Sequence, residues 1–467
     1  MNVDLARLQF ASTAIYHFLF VPVTIGMSFL VAILQTIWHR SGLEVYRRLT
    51  RFFGTLLVIN VAIGVVTGIA QEFEFGMNWS AFSRYVGDVF GAPLAMEGLA
   101  AFFLESTFLG LWIFGWDRLP KRVHLACIWI VAFATALSAA FIMAANSWMQ
   151  HPVGYRMNPE TGRPELDDIA AVFTNPVFTW GYLHVLLASL VTGSIVMLAA
   201  SAWHVRRKKE VDAFMRTARM ALVFLVPSSL LMLIVGSQLG VVEAKYQPMK
   251  IAAAEAQWET CQPCSFSLFQ IGGGQQDHDP AQIIEIPHLL SVLATGGWDG
   301  KVVGLEELQA QYEEQYGPGN YVPNVFIQYW SMRVMAYTGS LIFLFSLWGA
   351  WLLYRHRLER SRVFLRLAAW AVVTPFVMNT AGWLLTENGR QPWIVQGLMK
   401  TEDGVSPSVG SASIWITLVV FSALYGALAV ADGYLMLRYA RKGLPDAEDE
   451  SEAPGASEAD RLPALTY

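Results

Sequence analysis

The stretch ASTAIYHFLFVPVTIGMSFLVAILQTI, residues 11–37, decides the fold because it is apolar over a length sufficient to cross a bilayer. A membrane-spanning helix needs about 20 mostly apolar residues. The preceding segment, MNVDLARLQF, lacks a basic flank, and no small-residue cleavage pattern follows, so a removable signal peptide is not expected. Residues 11–37 are therefore predicted to remain as the first membrane-spanning helix.

The rest of the chain is equally apolar. Hydrophobic residues make up 54% of the 467 residues and charged residues only 15%, which excludes an ordinary soluble domain of this length. The sequence predicts an all-α integral membrane protein with nine transmembrane helices, surrounded by lipid and with no nucleic-acid partner. The predicted spans are residues 11–37, 53–73, 92–116, 123–148, 181–203, 218–239, 326–354, 363–386 and 412–438.

Lys and Arg residues are unevenly distributed among the connections. The first connection, residues 38–52, every second connection after it and the segment after the last helix together hold 20 Lys and Arg residues. The remaining connections hold 8. Short loops rich in Lys and Arg stay in the cytoplasm. The N-terminus is therefore predicted to lie outside and the C-terminus in the cytoplasm.

Four regions follow from this topology. Residues 1–239 hold helices 1–6, residues 240–325 form a long outer-side loop, residues 326–440 hold helices 7–9, and residues 441–467 form an acidic cytoplasmic tail expected to be disordered. The outer loop contains two predicted helical stretches, VVEAKYQPMKIAAAEAQWET and GLEELQAQYEEQYGPG. A loop this long that also contains aromatic residues is expected to be functional.

Ionisable side chains occur inside or at the ends of the apolar runs. Each costs about 2.5 to 3.5 kcal/mol in hydrocarbon on insertion scales, so such residues usually mark functional sites. The predicted topology places these residues, together with one methionine, in the same outer layer: His17, Glu97, His184, Arg333, Met335, Glu387 and Arg390.

Three of these side chains are typical haem ligands. His17 and His184 lie inside predicted spans, and Met335 lies at a matching depth. Imidazole and thioether groups are common axial ligands of haem iron. Packing roles remain open for each, such as a hydrogen-bonded histidine or a gap-filling methionine. Arg333 would suit a haem propionate, or its side chain would extend from the helix end to the interface.

Glu97 and Glu105 lie on one predicted helix, about 12 Å apart along a regular α-helical axis. They can form a carboxylate ladder for protons, although a neutral Glu105 hydrogen-bonded to a neighbouring helix is an alternative. Trp383 precedes Glu387 by one helical turn, so the two side chains share a face. That pair suits a macrocycle site, and the alternative for Trp383 is an interfacial aromatic belt.

Four sequence stretches together resemble subunit I of the cytochrome bd family of quinol oxidases. They are RLQFASTAIYHFLFVP around His17, NWSAFSRYVGDVFGAPLAMEG around Glu97, FFLESTFLGLWIFGWDR around Glu105, and GRQPW. The resemblance runs from about residue 5 to about residue 440. It implies a haem-containing subunit of a terminal quinol oxidase, which oxidises quinol at the outer side and reduces dioxygen to water with protons from the cytoplasm.

The resemblance also implies a role for each candidate residue. His184 and Met335 match axial ligands of a low-spin haem b. His17 and Glu387 match ligands of two high-spin haems, one a haem b and the other a haem d or a further haem b, without deciding which residue serves which haem. The remaining roles are Glu97 beside the oxygen site, Glu105 in a proton path, Trp383 between haems, Arg333 and Arg390 near haem propionates and the quinol region, and Lys250 and Glu255 as quinol-binding residues.

Partners and location follow from the same resemblance. It implies a subunit II, leaves room for a small single-helix subunit, and indicates ubiquinol or menaquinol and dioxygen as substrates, in the bacterial cytoplasmic (inner) membrane. The outer loop lacks the long insertion of one branch and is similar to the short-loop branch, which includes cyanide-insensitive oxidases. Cys261 and Cys264 are weak evidence for a metal site, and a disulfide between them stays open.

Two other functional classes remain as alternatives. An ion-coupled transporter would also bury Glu and Arg, but transporters often contain internal repeats, and no clear repeat relates the two halves of this chain. A haem-bearing membrane anchor would explain His184 and Met335 and would leave His17, Glu97 and Glu387 without a role.

Overall fold

The computed structural model describes residues 2–445, and the predicted acidic tail lies outside them from residue 446 onward. Within the described part of the chain, nine helices are long and apolar enough to cross a membrane, which agrees with the predicted number. We number these helices spans 1–9 in chain order. They are Asn2–Ser41, Glu44–Met77, Ser80–Phe114, Lys121–Gln150, Pro176–Arg206, Val211–Tyr246, Val325–Tyr354, Arg362–Gly389 and Ser411–Lys442.

Three spans change conformation along their length. Span 1 consists of the helices Asn2–Phe18 and Phe20–Ser41. Span 3 has a π-helical segment, Glu97–Phe102, between the α-helices Ser80–Met96 and Phe103–Phe114. Span 8 passes from Arg362–Trp370 through a 3-10 turn, Ala371–Val373, to Thr374–Gly389. π-helical turns inside α-helices are frequent at functional sites, so span 3 merits attention at Glu97.

Local capping explains where several spans begin and end. The Asn175 side chain accepts a hydrogen bond from the Val177 N–H, and Pro176 occupies the first turn of span 5. Span 1 ends at Gly42, whose φ of 68° is left-handed and whose N–H donates to the Trp38 carbonyl. These caps satisfy backbone groups that a helix end would otherwise leave unpaired.

Span 5 forms the centre of the bundle, and spans 3 and 9 are the least buried within the chain. Spans 1 and 5 touch through their backbones. A Cβ on Gly26 would lie 2.0 Å from the Ser189 carbonyl oxygen, and a Cβ on Gly193 would lie 2.6 Å from the Gly26 carbonyl carbon. Small residues allow this close approach of helices in membranes, so both glycines are required for the packing of the first span.

The outer loop starts later than residue 240 because span 6 continues to Tyr246. Pro248 then begins a separate helix, Pro248–Ala254, so the predicted helical stretch at residues 241–260 is broken in two. The second predicted helix of the loop is confirmed at Leu305–Tyr316. The loop also holds the helix Leu289–Thr295 and a disulfide between Cys261 and Cys264.

Within residues 2–445, three small antiparallel sheets lie outside the spans, so this part of the chain is not purely helical. The pairs are Tyr155–Met157 with Pro164–Leu166, Phe266–Ile271 with Ala281–Ile286, and Trp393–Val395 with Met399–Lys400. Short helices at Ile169–Phe173 and Thr401–Gly404 complete the connections.

Candidate functional site

A cavity of about 780 Å³ opens between spans 1, 2, 3, 4 and 8. Its walls are mostly apolar, which is typical of sites that enclose a cofactor or small molecule. Six of the predicted site residues line it: His17, Glu97, Glu105, Trp383, Glu387 and Arg390. Residues far apart in sequence therefore meet at one place in the bundle.

His17 projects from span 1 toward span 2. Its Nδ1 lies 3.0 Å from Thr67 Oγ1, and that hydroxyl in turn donates to the Gly64 carbonyl at 2.9 Å. With the hydroxyl donating to that carbonyl, the tautomer of His17 that donates through Nδ1 satisfies both groups, and this tautomer leaves Nε2 without a proton. A neutral imidazole with a free nitrogen, oriented through its other nitrogen, is what a metal ligand requires.

Glu387 and Arg390 occupy the end of span 8 and its C-cap. Arg390 Nη2 donates to Glu387 Oε2, and Asn146 of span 4 donates to Glu387 Oε1 at 2.9 Å. The other two guanidinium nitrogens of Arg390, Nε and Nη1, are buried without a hydrogen-bond partner among the described residues. Buried donors of this kind normally have an acceptor, so the arrangement fits an anionic group in the cavity.

Aromatic packing fixes another part of the wall. The Trp383 ring stacks on the Phe18 ring, with centroids 4.9 Å apart and an interplanar angle of 12°. Phe18 is the last residue of the first helix in span 1, next to His17. The indole therefore packs against span 1 and lines the cavity rather than lying exposed in an interfacial belt.

Glu97 begins the π-helical segment of span 3 and accepts a hydrogen bond from Ser138 Oγ at 2.8 Å. Glu105 follows in the next helix, and both carboxylates line the cavity. The π-helical turn occupies most of the interval between them, so the separation expected for a regular α-helix does not apply unchanged.

His184 on span 5 and Met335 on span 7 do not line this cavity, and we refer to these two predicted ligands together as the second locus. His184 Nδ1 is buried and makes no hydrogen bond of regular geometry within residues 2–445. Both side chains face glycines of neighbouring spans. A Cβ on Gly236 would lie 3.0 Å from His184 Cε1, and a Cβ on Gly382 would lie 3.0 Å from Met335 Sδ.

The same relation holds in the cavity, where a Cβ on Gly68 would lie 3.0 Å from His17 Cε1. All three predicted imidazole or thioether ligands thus lie against a helical glycine. Sequence analysis did not single out these glycines, because a lone glycine in an apolar run gives no local signal.

The predicted quinol-binding residues take part in two buried ion pairs. Lys250 Nζ lies 3.0 Å from Glu243 Oε1 and 2.7 Å from Gln150 Oε1. Glu255 Oε2 lies 2.8 Å from Arg333 Nη2. Lys250 and Glu255 are therefore not paired with each other, although Lys250 lies in the short helix Pro248–Ala254 and Glu255 directly follows that helix.

Burial acts on both charges in the outer loop. It lowers the pKa of the Lys250 ammonium, and the Glu243 carboxylate opposes that shift. It raises the pKa of the Glu255 carboxyl, against the opposing effect of Arg333. Burial therefore outweighs the ion pairs, and each group is held closer to its neutral form than it would be in water.

Arg333 is occupied by the loop rather than by the cavity. Besides Glu255, it donates to the carbonyls of Ala254 and Ser267 at 2.6 Å each, and its guanidinium carbon lies 3.5 Å from the centre of the Tyr329 ring. Both terminal nitrogens of Arg333 are therefore engaged. Only Nε remains available to donate to a haem propionate, the contact that was expected.

Several polar residues at the site were missed from the sequence. They are Thr67, Ser138, Asn146, Gln150 and Glu243, each of which contacts a predicted site residue. Glu74 of span 2, which does not line the cavity, was missed as well. Glu74 is buried and accepts from Thr13 Oγ1 at 2.8 Å. It was assigned to a loop because span 2 continues past its apolar run to Met77. The uncharged residues gave no signal, since amides and hydroxyls are common in membrane helices.

Comparison with known proteins gives a consistent result along the whole chain. The family model described as cytochrome bd terminal oxidase subunit I matches residues 5–444. The cytochrome bd ubiquinol oxidase subunit 1 of Bacillus subtilis (strain 168) is 43% identical and covers 94% of this chain and 93% of its own length. The cytochrome bd-II ubiquinol oxidase subunit 1 of Escherichia coli (strain K12) is 37% identical, with 97% and 98% covered.

A solved structure supports the fold independently. The bd oxidase from Geobacillus thermodenitrificans matches with a TM-score of 0.85 at 30% sequence identity, covering 94% of this chain and 98% of that chain. The family model spans nearly all residues, and both relatives are more than 30% identical over at least 93% of each chain. The chain therefore belongs to the cytochrome bd terminal oxidase subunit I family.

Proposed function

We propose that this chain is the haem-bearing subunit of a terminal quinol oxidase, oxidising quinol at the outer side of the membrane and reducing dioxygen to water with protons from the cytoplasm. Family membership makes it part of a quinol:oxygen oxidoreductase. The observation that carries the finer proposal is the single cavity that collects His17, Glu97, Glu105 and Glu387 from three spans.

The residues present fit haem. The cavity is large and mostly apolar, the His17 tautomer that donates to Thr67 leaves Nε2 available to iron, and Arg390 presents two unpartnered buried donors that suit a propionate. At the second locus, His184 has a buried nitrogen without a regular hydrogen bond. Oxygen chemistry and one-electron transfer are what bound haem supplies.

Ligand roles divide between the two loci. His17 and Glu387 would hold the two high-spin haems, one a haem b and the other a haem d or a further haem b. His184 and Met335 would hold the low-spin haem b. Hydrogen bonds from Asn146 and Arg390 fix the Glu387 carboxylate, and the stacked Trp383 would separate the macrocycles.

Proton delivery is assigned to span 3. Glu105 would receive protons from the cytoplasmic side, and Glu97 would hold them beside the oxygen site, where Ser138 orients its carboxylate. Carboxylates inside membrane helices serve this purpose in proton relays.

Quinol oxidation is assigned to the outer loop. Glu255, with its raised pKa, is suited to accept a proton released from quinol at the outer side. Lys250 would contribute a donor to the quinol oxygen, since its ammonium has three N–H groups and its hydrogen bonds to Gln150 and Glu243 use two of them. The relatives named as ubiquinol and menaquinol oxidases support quinol as the substrate class.

Assembly and location follow from the family. The name subunit I indicates a subunit II beside it, and spans 3 and 9, which are little buried within this chain, offer surface for a further subunit or for lipid. The bacterial relatives support the cytoplasmic (inner) membrane as the location. The distribution of Lys and Arg among the connections supports an N-terminus outside and a C-terminus in the cytoplasm.

Haem extraction and a reduced-minus-oxidised visible spectrum of the purified complex test the proposal. His17→Ala and Glu387→Ala should each reduce high-spin haem, and His184→Ala should remove the low-spin signal. His278→Ala, in an exposed part of the outer loop, is the matched control and should leave both signals unchanged. A complex without haem would fit a transporter instead, and low-spin haem alone would fit a membrane anchor.

A further inference from the structure

A row of buried side chains joins the outer loop to Glu387. Lys250 Nζ donates to Gln150 Oε1 at 2.7 Å, Gln150 Nε2 donates to Asn146 Oδ1 at 2.8 Å, and Asn146 Nδ2 donates to Glu387 Oε1 at 2.9 Å. Gln150 and Asn146 are four residues apart at the end of span 4, so their side chains lie on one helical face. The row is continuous, with a normal hydrogen bond at every step.

Chemistry at the two ends fixes the direction of every amide in the row. A lysine ammonium only donates hydrogen bonds, and an ionised carboxylate only accepts them. Gln150 must therefore present its oxygen to Lys250, and Asn146 must present its nitrogen to Glu387. Both amide dipoles point the same way, an arrangement in which each hydrogen bond polarises and strengthens the next.

Burial makes the row costly to break. The Lys250 side chain is fully buried, and Gln150, Asn146 and Arg390 are nearly so. A buried polar group that loses its hydrogen-bond partner destabilises the fold, because water cannot reach it to replace the lost bond. When one member moves, its neighbours are therefore driven to move with it rather than to remain unpaired.

Glu387 is held from two sides as a result. Its Oε1 accepts from Asn146 and its Oε2 accepts from Arg390. Hydrogen bonds to a ligating carboxylate set both its orientation and its donor strength toward a metal. Any change in the Asn146 hydrogen bond therefore reaches the iron-binding group directly.

We propose that Gln150 and Asn146 are positioning residues that couple Lys250 in the outer loop to Glu387, so that a change in the partners of Lys250 changes the electronic properties of the haem held at Glu387. The inference rests on the proposed function, since it takes Glu387 as a haem ligand and Lys250 as a quinol-binding residue. Quinol that draws Lys250 away from Gln150 would weaken the polarisation of the row.

Potentiometric titration of the high-spin haems in the purified complex tests this coupling. Asn146→Leu removes a donor from Glu387, leaves the carboxylate a stronger electron donor, and should make the midpoint potential more negative. Gln150→Leu should shift it in the same direction by less. Asn175→Ala is the matched control, because Asn175 bonds the Ser147 and His151 carbonyls beside the row without belonging to it, and no shift is expected.

A double-mutant cycle separates the row from the simple loss of a charge. Lys250→Gln should lower the midpoint potential, and this shift should fall to below about half its size in the Gln150→Leu background, because contacting residues are not additive. An equal shift in both backgrounds would overturn the coupling. The coupling would also be overturned if Asn146→Leu had normal haem content and the same midpoint potential as the unsubstituted complex.

Two further results of these experiments also decide the proposal. If Gln150→Leu does not assemble, Gln150→Met replaces it, because it keeps the length of the side chain, adds no charge and loses the donor to Asn146. A negative shift there supports the coupling, and an unchanged potential overturns it. Absence of high-spin haem from the unsubstituted complex would instead sink the proposed function.

Discussion

Arg333 forms a buried ion pair with Glu255, with Nη2 and Oε2 2.8 Å apart and both side chains almost completely excluded from solvent. The arginine belongs to span 7 and the glutamate follows the first helix of the outer loop. The pair therefore ties the loop to the bundle at a residue that we assign to quinol oxidation.

Arg333→Leu should destabilise the outer loop strongly. It leaves the Glu255 charge buried without a partner, and breaking a buried pair in this way costs about 3 to 5 kcal/mol. Limited proteolysis of the loop, together with thermal unfolding in detergent, measures the effect. Arg156→Ala is the control, because its pair with Glu165 is exposed and such pairs contribute about 0 to 1 kcal/mol. Equal sensitivity in the two variants would contradict the burial argument.

The pH dependence of quinol oxidation should reflect Glu255. Burial raises the pKa of its carboxyl, so the group takes up a proton at higher pH than an ordinary glutamate does. Because a proton acceptor must be ionised, the rate should fall as pH decreases through that raised pKa. Glu255→Gln should lower the rate and remove this limb of the pH profile. An unchanged limb would assign the titration to another group.

Alanine at the ligand-facing glycines should disturb one haem class at a time. A Cβ at Gly68 or Gly236 would come within 3.0 Å of the facing histidine, so the imidazole must move by a few tenths of an ångström. Gly68→Ala should alter the high-spin absorption bands and Gly236→Ala the low-spin bands. Gly426→Ala in span 9, where a Cβ meets nothing within 4 Å, should alter neither.

Glu105→Gln should slow oxygen reduction while leaving the haems in place. The amide keeps the size of the side chain but cannot carry a proton, so turnover should fall by about 10²-fold or more, the usual contribution of a positioned acid or base. Oxygen uptake and haem content of the same preparation provide the measurement. The adjacent Ser106→Ala is the control, since Ser106 only bonds back to its own helix. Normal turnover in Glu105→Gln would remove Glu105 from the proton path.

The number of spans could be predicted from sequence because each apolar run is long enough to cross a bilayer. The residues at which the spans begin and end could not be predicted in the same way. Span 3 starts at Ser80, twelve residues before the predicted run, because its first turns are amphipathic and helical without being continuously apolar. The hairpin formed by Phe266–Ile271 and Ala281–Ile286 was also missed, since short strands in a long loop carry little periodic signal.

At the site, ionisable residues gave the clearest sequence signal. An ionisable group in or at the end of an apolar run stands out, which identified five residues of one cavity: His17, Glu97, Glu105, Glu387 and Arg390. The ion-pair and hydrogen-bond partners of these residues were harder to predict, because they depend on which faces of the spans pack together. Lys250 and Glu255 are close in sequence, yet each is paired with a residue from a different span, Glu243 and Arg333 respectively.

These two pairs limit how the outer loop can be exchanged between relatives. A chimaera that receives another protein's loop would import a lysine and a glutamate whose counter-charges stay behind in the host helices. Such a graft should fold only where the host also carries matching groups at positions 150, 243 and 333, so loop identity and bundle identity are inherited together.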